Sequence, residues 1–225
     1  MRMFKFIAIA IDPITHAQLN SRLSIFVNQQ IVVMKNEYLE SVLKQFLYYK
    51  MLGDRTFDQL TEEQLFMQHN PDSNSIATIV KHMAGNMLSR WTDFLTTDGE
   101  KPWRHRDAEF ENDLGSKQEM LKLWEQGWIV LLDSLESLSD EDLSKIVYIR
   151  NERHTVMEAI NRQLAHYPYH VGQIVFIGKM LASNWQSLSI PKGNSAAFNA
   201  GKFAQERHRG HFTDEVLNPK GSTED

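Results

Sequence analysis

Four stretches of the chain place apolar residues three and four positions apart, each just after a residue suited to capping a helix. The first follows Asn36, where Tyr38, Leu39, Val42, Leu43, Phe46, Leu47, Met51 and Leu52 share one face. A helix is expected from Asn36 to about Leu60, with Gly53 its weak point. Ser75 opens the second, with Ile76, Ile79, Val80, Met83, Met87, Trp91 and Leu95 as its stripe. Ser116 and Glu119 form a capping-box pattern before the third, which carries Met120, Leu123, Trp124, Trp128, Leu131, Leu132 and Leu135. Thr155 and Glu158 do the same for the fourth, which runs to about Ala182 through Ile160, Leu164, Tyr167, Val171, Ile174 and Met180. Such stripes bury themselves only against one another, which confines the chain to helix-on-helix packing.

The connection from Thr96 to Ser116 is long and charged, with Gly99 and Pro102 but no period. Antiparallel neighbours need only short loops, so a long connection points to two consecutive helices running the same way. The expected fold is all-α: a four-helix bundle with one long crossover and a metal site between helices. Shorter features are a turn at Thr61–Gln64, another at Ser139–Asp142, and a brief strand or extended segment at Val147–Ile149. The bundle is expected over 34–190. Residues 1–33 read as a poorly packed extension and 191–225 as a C-terminal segment and tail.

Composition removes several chemistries. The sequence has no Cys, which excludes a disulfide framework, a Cys-ligated zinc, an iron–sulfur cluster and a catalytic thiol. A net charge of −5 gives no basic field to recruit nucleic acid. The longest apolar run, Phe6 to Ile11, is far too short to span a membrane and is interrupted by Asp12 and Pro13, so neither a span nor a signal peptide is expected. A cytoplasmic protein follows. There is no Gly-x-Gly-x-x-Gly, P-loop or Gly-x-Ser-x-Gly, and the Glu-x-x-His pairs of di-iron bundles are missing.

The 9 histidines carry more information. His166 and His170 are one helical turn apart on one face, a spacing that can grip one metal ion, and Pro168 sits between them. A proline inside a helix costs about 3 kcal/mol, so its place between two histidines suggests a helix shaped around something. His82, in the apolar stripe of the second helix, is the third candidate. A lone histidine there is usually a core residue with a local partner, but with the pair it completes a three-nitrogen site. Three protein ligands leave positions open for chemistry. Such a site requires the imidazole nitrogens to converge within about 5 Å. Trp103–Asp107 reads as a surface loop anchored by its Trp, or as a lid, and Arg207–His211 as a solvated basic tail.

His166-x-x-x-His170-Val171-Gly172-Gln173-Ile174 resembles the signature of the DinB-like family, and His82 matches that family's first metal histidine. The similarity spans about Met34 to Ile190 and is nearest to an uncharacterised branch from low-GC Gram-positive bacteria. It implies a four-helix bundle with a three-His site for zinc or nickel, formed by His82, His166 and His170, and a homodimer. It implies that Gly172 allows close helix packing and that Gln173 lies one turn below the site. Some relatives are thiol S-transferases using bacillithiol, mycothiol or glutathione. Val171 stands where many members carry Arg, and the first 33 residues have no counterpart.

The expected function is therefore metal-dependent transfer of a small-molecule thiol to an electrophile, or hydrolysis of a small substrate. Since the chain has no Cys, any thiol must come from a low-molecular-weight co-substrate. Helical spacing places Asn86, Arg90 and Gln173 one or two turns from the histidines, where they would bind substrate. One rival is a non-enzymatic metal- or ligand-binding stress protein with the same bundle; another is a helical scaffold with incidental histidines.

Overall fold

The computed structural model describes residues 16–217, with side chains from Glu37 onward. The chain divides into two compact units, Met1–Tyr38 and Leu39–Asp225. The expectations for residues 1–15 and for the packing of the head lie outside the described residues. Helix α1 spans His16–Phe57, so Asn36 lies inside a helix and is not its N-cap. The segment upstream of Asn36 back to His16 contains neither Gly nor Pro, and an internal Asn costs a helix only a few tenths of a kcal/mol.

The other elements are short α2 (Glu62–Phe66), α3 (Ile76–Trp91), α4 (Lys117–Glu136), strands β1 (Ile146–Ile149) and β2 (Glu152–Thr155), α5 (Val156–Leu181), and short α6 (Ser195–Asn199) and α7 (Asp214–Leu217). Local chemistry sets most boundaries. Thr61 and Gln64 close a reciprocal capping box, as do Thr155 and Glu158. At α4 only half the box forms: Ser116 accepts the Glu119 N–H, while the Glu119 carboxylate takes the N–H of Gly115. Helix α3 stops at Trp91, earlier than the stripe through Leu95 suggested, because Asp93 turns the chain with a φ of 49°. Helix α5 continues through Pro168.

Among the described residues the one sheet is the antiparallel hairpin β1–β2, of which the sequence signals only the first strand. Its two turn residues, Arg150 and Asn151, have φ of 54° and 62°, the left-handed pair of a tight primed turn. Asp98 ties this tip to the α3–α4 connection by accepting the N–H groups of Arg150 at 2.9 Å and Asn151 at 2.7 Å.

Helices α3 and α4 pack closely against one another. Gly127 of α4 permits it, since a Cβ there would lie 3.1 Å from the Ala84 Cα. Gly172, the glycine expected to serve this purpose, does not, because a Cβ there would meet nothing within 4 Å. Phe46, Trp124, Trp128 and Tyr167 are buried and stack edge-on or tilted across α1, α4 and α5. A polar chain threads this core: Trp91 Nε1–H donates to Tyr167 Oη at 3.1 Å, and Tyr167 O–H donates to Asn86 Oδ1 at 2.9 Å. Tyr167→Phe removes the middle of that chain and strands two buried partners, so a loss of about 1–3 kcal/mol is expected in urea denaturation. The C-terminal segment returns to α1. His211 bonds Ser41 at 3.1 Å, Asp214 pairs with Lys44 at 3.0 Å, and Thr213 is buried, so the basic tail is docked at its end.

Candidate metal centre

His82 comes from the middle of α3, and His166 and His170 from successive turns of α5. One ring nitrogen of each lies within 4.8 Å of the other two, inside the limit set by spacing arguments. His82 is buried and the other two are half-buried.

The second nitrogen of each ring decides what the first can do. His82 Nδ1 lies 2.9 Å from Glu109 Oε2, His166 Nδ1 lies 3.1 Å from Gln163 Oε1, and His170 Nδ1 lies 2.9 Å from Gln173 Oε1. These oxygens only accept, so each Nδ1 carries the ring proton and each Nε2 keeps its lone pair. His166 Nε2 and His170 Nε2 are 3.1 Å apart, two lone pairs facing one another. Two nitrogens at 2.0–2.1 Å on one tetrahedral ion would be about 3.3 Å apart. The donor set fits a divalent ion. Desolvation, reinforced by the neighbouring His170 and His82, pushes the His166 pKa down to about 3. Burial also lowers His170, against the Gln173 bond that raises it. Both rings are thus neutral at neutral pH, the form that binds metal.

Glu109 is the functional residue with the weakest local signal. It sits in a short 3-10 turn, Asp107–Phe110, inside the long connection. Burial pushes its carboxyl up, but the bonds from His82 and Arg104 outweigh that and hold it below the usual carboxylate range. Arg104 donates to it from Nε at 2.7 Å and from Nη2 at 2.9 Å, a two-pronged clamp. The side chain reaches this place over Gly85, where a Cβ would stand 2.3 Å from Glu109 Oε1. The connection is therefore anchored by Arg104, whose side chain is 2% exposed, and not by Trp103, which is 53% exposed. Phe110 stacks on the His82 ring at 4.7 Å.

The predicted substrate residues separate. Asn86 and Arg90 line a cavity of about 230 Å³ together with His82 and His166. Gln173 is engaged by His170 and lines a different cavity with Phe176 and Ile177. Gln163 and Gln173, three residues before and after the histidine pair, were findable from helical spacing; Glu109 was not.

A helical protein with a histidine cluster between α3 and α5 is of the DinB-like kind. More narrowly, a family model described as "Protein of unknown function (DUF1572)", linked to the DinB-like superfamily, matches residues 33–194, and the chain belongs to that family. No curated protein matches it. Among the described residues no helix is long and apolar enough to cross a membrane.

If Glu109 orients His82 toward a metal, Glu109→Gln should weaken metal affinity about 10–100-fold, the usual cost of losing such a partner. Gly85→Ala should do the same with every ligand and Glu109 itself left unmutated, because the added Cβ pushes Glu109 aside. Competition with a chromophoric chelator measures both.

Proposed function

We propose that His82, His166 and His170 hold a divalent ion, zinc or nickel, and that the protein is a metal-dependent enzyme of the DinB-like type. Its reaction is transfer of a small-molecule thiol to an electrophile, or hydrolysis of a small substrate. One observation carries this reading: three Nδ1 groups are each committed to an oxygen acceptor, which leaves three Nε2 lone pairs turned to one another. Without an ion, the facing pair at 3.1 Å has no proton between it to make a bond.

Such an ion supplies a Lewis acid that lowers the pKa of a thiol or water. The chain's own part is positional. Glu109, Gln163 and Gln173 fix the ring tautomers, and Arg104 holds Glu109 in place. In thiol transfer the sulfur forms a bond to the electrophilic carbon while the leaving group, or the epoxide oxygen, departs with the electron pair. Asn86 and Arg90 face the substrate from the cavity beside His82 and His166. Four long helices, α1, α3, α4 and α5, support reading the fold as a four-helix bundle with the α3–α4 connection as its crossover. Exposed Tyr169, Phe176 and Met180 recur along α5 and support a homodimer, which light scattering would measure.

The test is thiol consumption by zinc- or nickel-loaded protein with monochlorobimane or an epoxide. Turnover that depends on His166 supports the reading; turnover that persists in His166→Ala overturns it. Stoichiometric metal without turnover favours a metal-holding protein instead.

A further inference from the structure

The cavity beside His82 and His166 is lined by five arginines: Arg90, Arg104, Arg106, Arg150 and Arg162. They come from four separate places in the chain. Arg90 is on α3, Arg104 and Arg106 are in the long connection, Arg150 is at the hairpin tip, and Arg162 is on α5. The structure invests in bringing them together, since Asp98 fixes the hairpin tip to the connection through two backbone N–H groups.

Their counter-charges do not balance. Glu100 is shared by Arg90 at 3.1 Å and by Arg104 and Arg150 at 3.3 Å each. Glu109 serves Arg104 and is also taken by His82. Among the described residues, Arg106 and Arg162 have no carboxylate within ion-pair distance, and Arg106 lies over the Phe110 ring at 5.2 Å. The direct ion pairs of the five guanidinium groups thus go to two carboxylates, and Asp98, bonded to the hairpin tip and felt by Arg90, adds a third acidic group, so the arginines still outnumber the acids. Arg90, though only 5% exposed, also keeps a buried Nε–H without a hydrogen-bond partner. Cations gathered around a partly enclosed space attract an anion, and guanidinium forks suit the planar or tetrahedral oxygens of carboxylate and phosphate.

We infer that this cavity binds the anionic end of the substrate or co-substrate, a carboxylate or phosphate group, gripped by Arg106 and Arg162 with Arg90 and Arg150 behind them. The bound molecule is a small anion whose other end reaches His82 and His166. This rests on the reading of the three histidines as the reaction site, and it adds the chemical class of the ligand.

The experiment is isothermal titration of the full chain, stripped with EDTA and dialysed, at fixed ionic strength. The probes are inorganic phosphate, succinate and the uncharged analogue succinamide. At least one of the two anions is expected to bind and succinamide is not; whichever anion binds identifies the end group. Arg106→Gln/Arg162→Gln, two exposed positions, should weaken that binding about tenfold or more with an unchanged circular dichroism spectrum. The inference is overturned if neither anion binds, if succinamide binds as well as succinate, or if the double variant binds as tightly as the wild type. Metal uptake by the same preparations separates the two readings. Arginine-dependent anion binding without metal uptake removes the metal-enzyme reading and leaves the anion site standing. Metal uptake without anion binding removes the anion site alone.

Discussion

His166→Ala is expected to cost the chain its divalent ion while leaving the fold in place. A structural zinc site yields an apparent 10–16 kcal/mol from four ligands, or about 3 kcal/mol each, so losing one ligand of three should lower affinity by about a hundredfold or more. The fold has little to lose, because His166 is half-buried, its bond to Gln163 lies within α5, and alanine favours the helix. The metal-free variant should therefore unfold within about 1 kcal/mol of the metal-free wild type. Chelator competition reads the first quantity and urea denaturation the second. A variant that keeps its metal contradicts the proposed ligand set.

The largest loss of stability is expected from Trp128→Ala. Trp128 is fully buried and touches the rings of Phe46, Trp124 and Tyr167, so it joins α4 to both α1 and α5. Removing a buried Trp side chain costs about 3–5 kcal/mol through lost burial and the cavity left behind. Against a typical stability of about 5–15 kcal/mol, that is a large share. One small offset exists: the Trp128 Nε1–H is buried without a partner, so its removal relieves that cost. Tyr167, which loses its neighbour, adjoins His166, so saturating zinc should restore part of the lost stability if the site survives. A change below about 1 kcal/mol in urea denaturation would show that this aromatic cluster is not the centre of the core.

The legible parts of the molecule are those whose physics is local. Helical periodicity and Ser or Thr caps located α3, α4 and α5 because a stripe and its cap lie within a few residues of one another. Spacing alone pairs His166 with His170, the stripe of the second helix offers His82 as the third candidate, and the signature resemblance matches it to a metal histidine. What escaped is set by contacts distant in sequence. Asn36 has the chemistry of a cap, which points to a helix start there, yet nothing between His16 and Asn36 stops α1. The second strand of the hairpin, Glu152–Thr155, is charged and exposed at its start, so no apolar alternation marked it. Glu109 lies 27 residues from His82 in a segment without period, and only the fold shows that it holds that ring. The arginine cavity is the extreme case, since its members are scattered from Arg90 to Arg162 and no local pattern unites them.

The proposed metal site rests on three imidazoles from α3 and α5 that converge on one point. Metal analysis of untagged protein, purified without chelator and compared with a His82→Ala/His166→Ala/His170→Ala variant, tests it most directly. The expected result is about one zinc or nickel per chain in the wild type and none in the variant. Equal metal in both, or none in a wild type offered both ions, would contradict it.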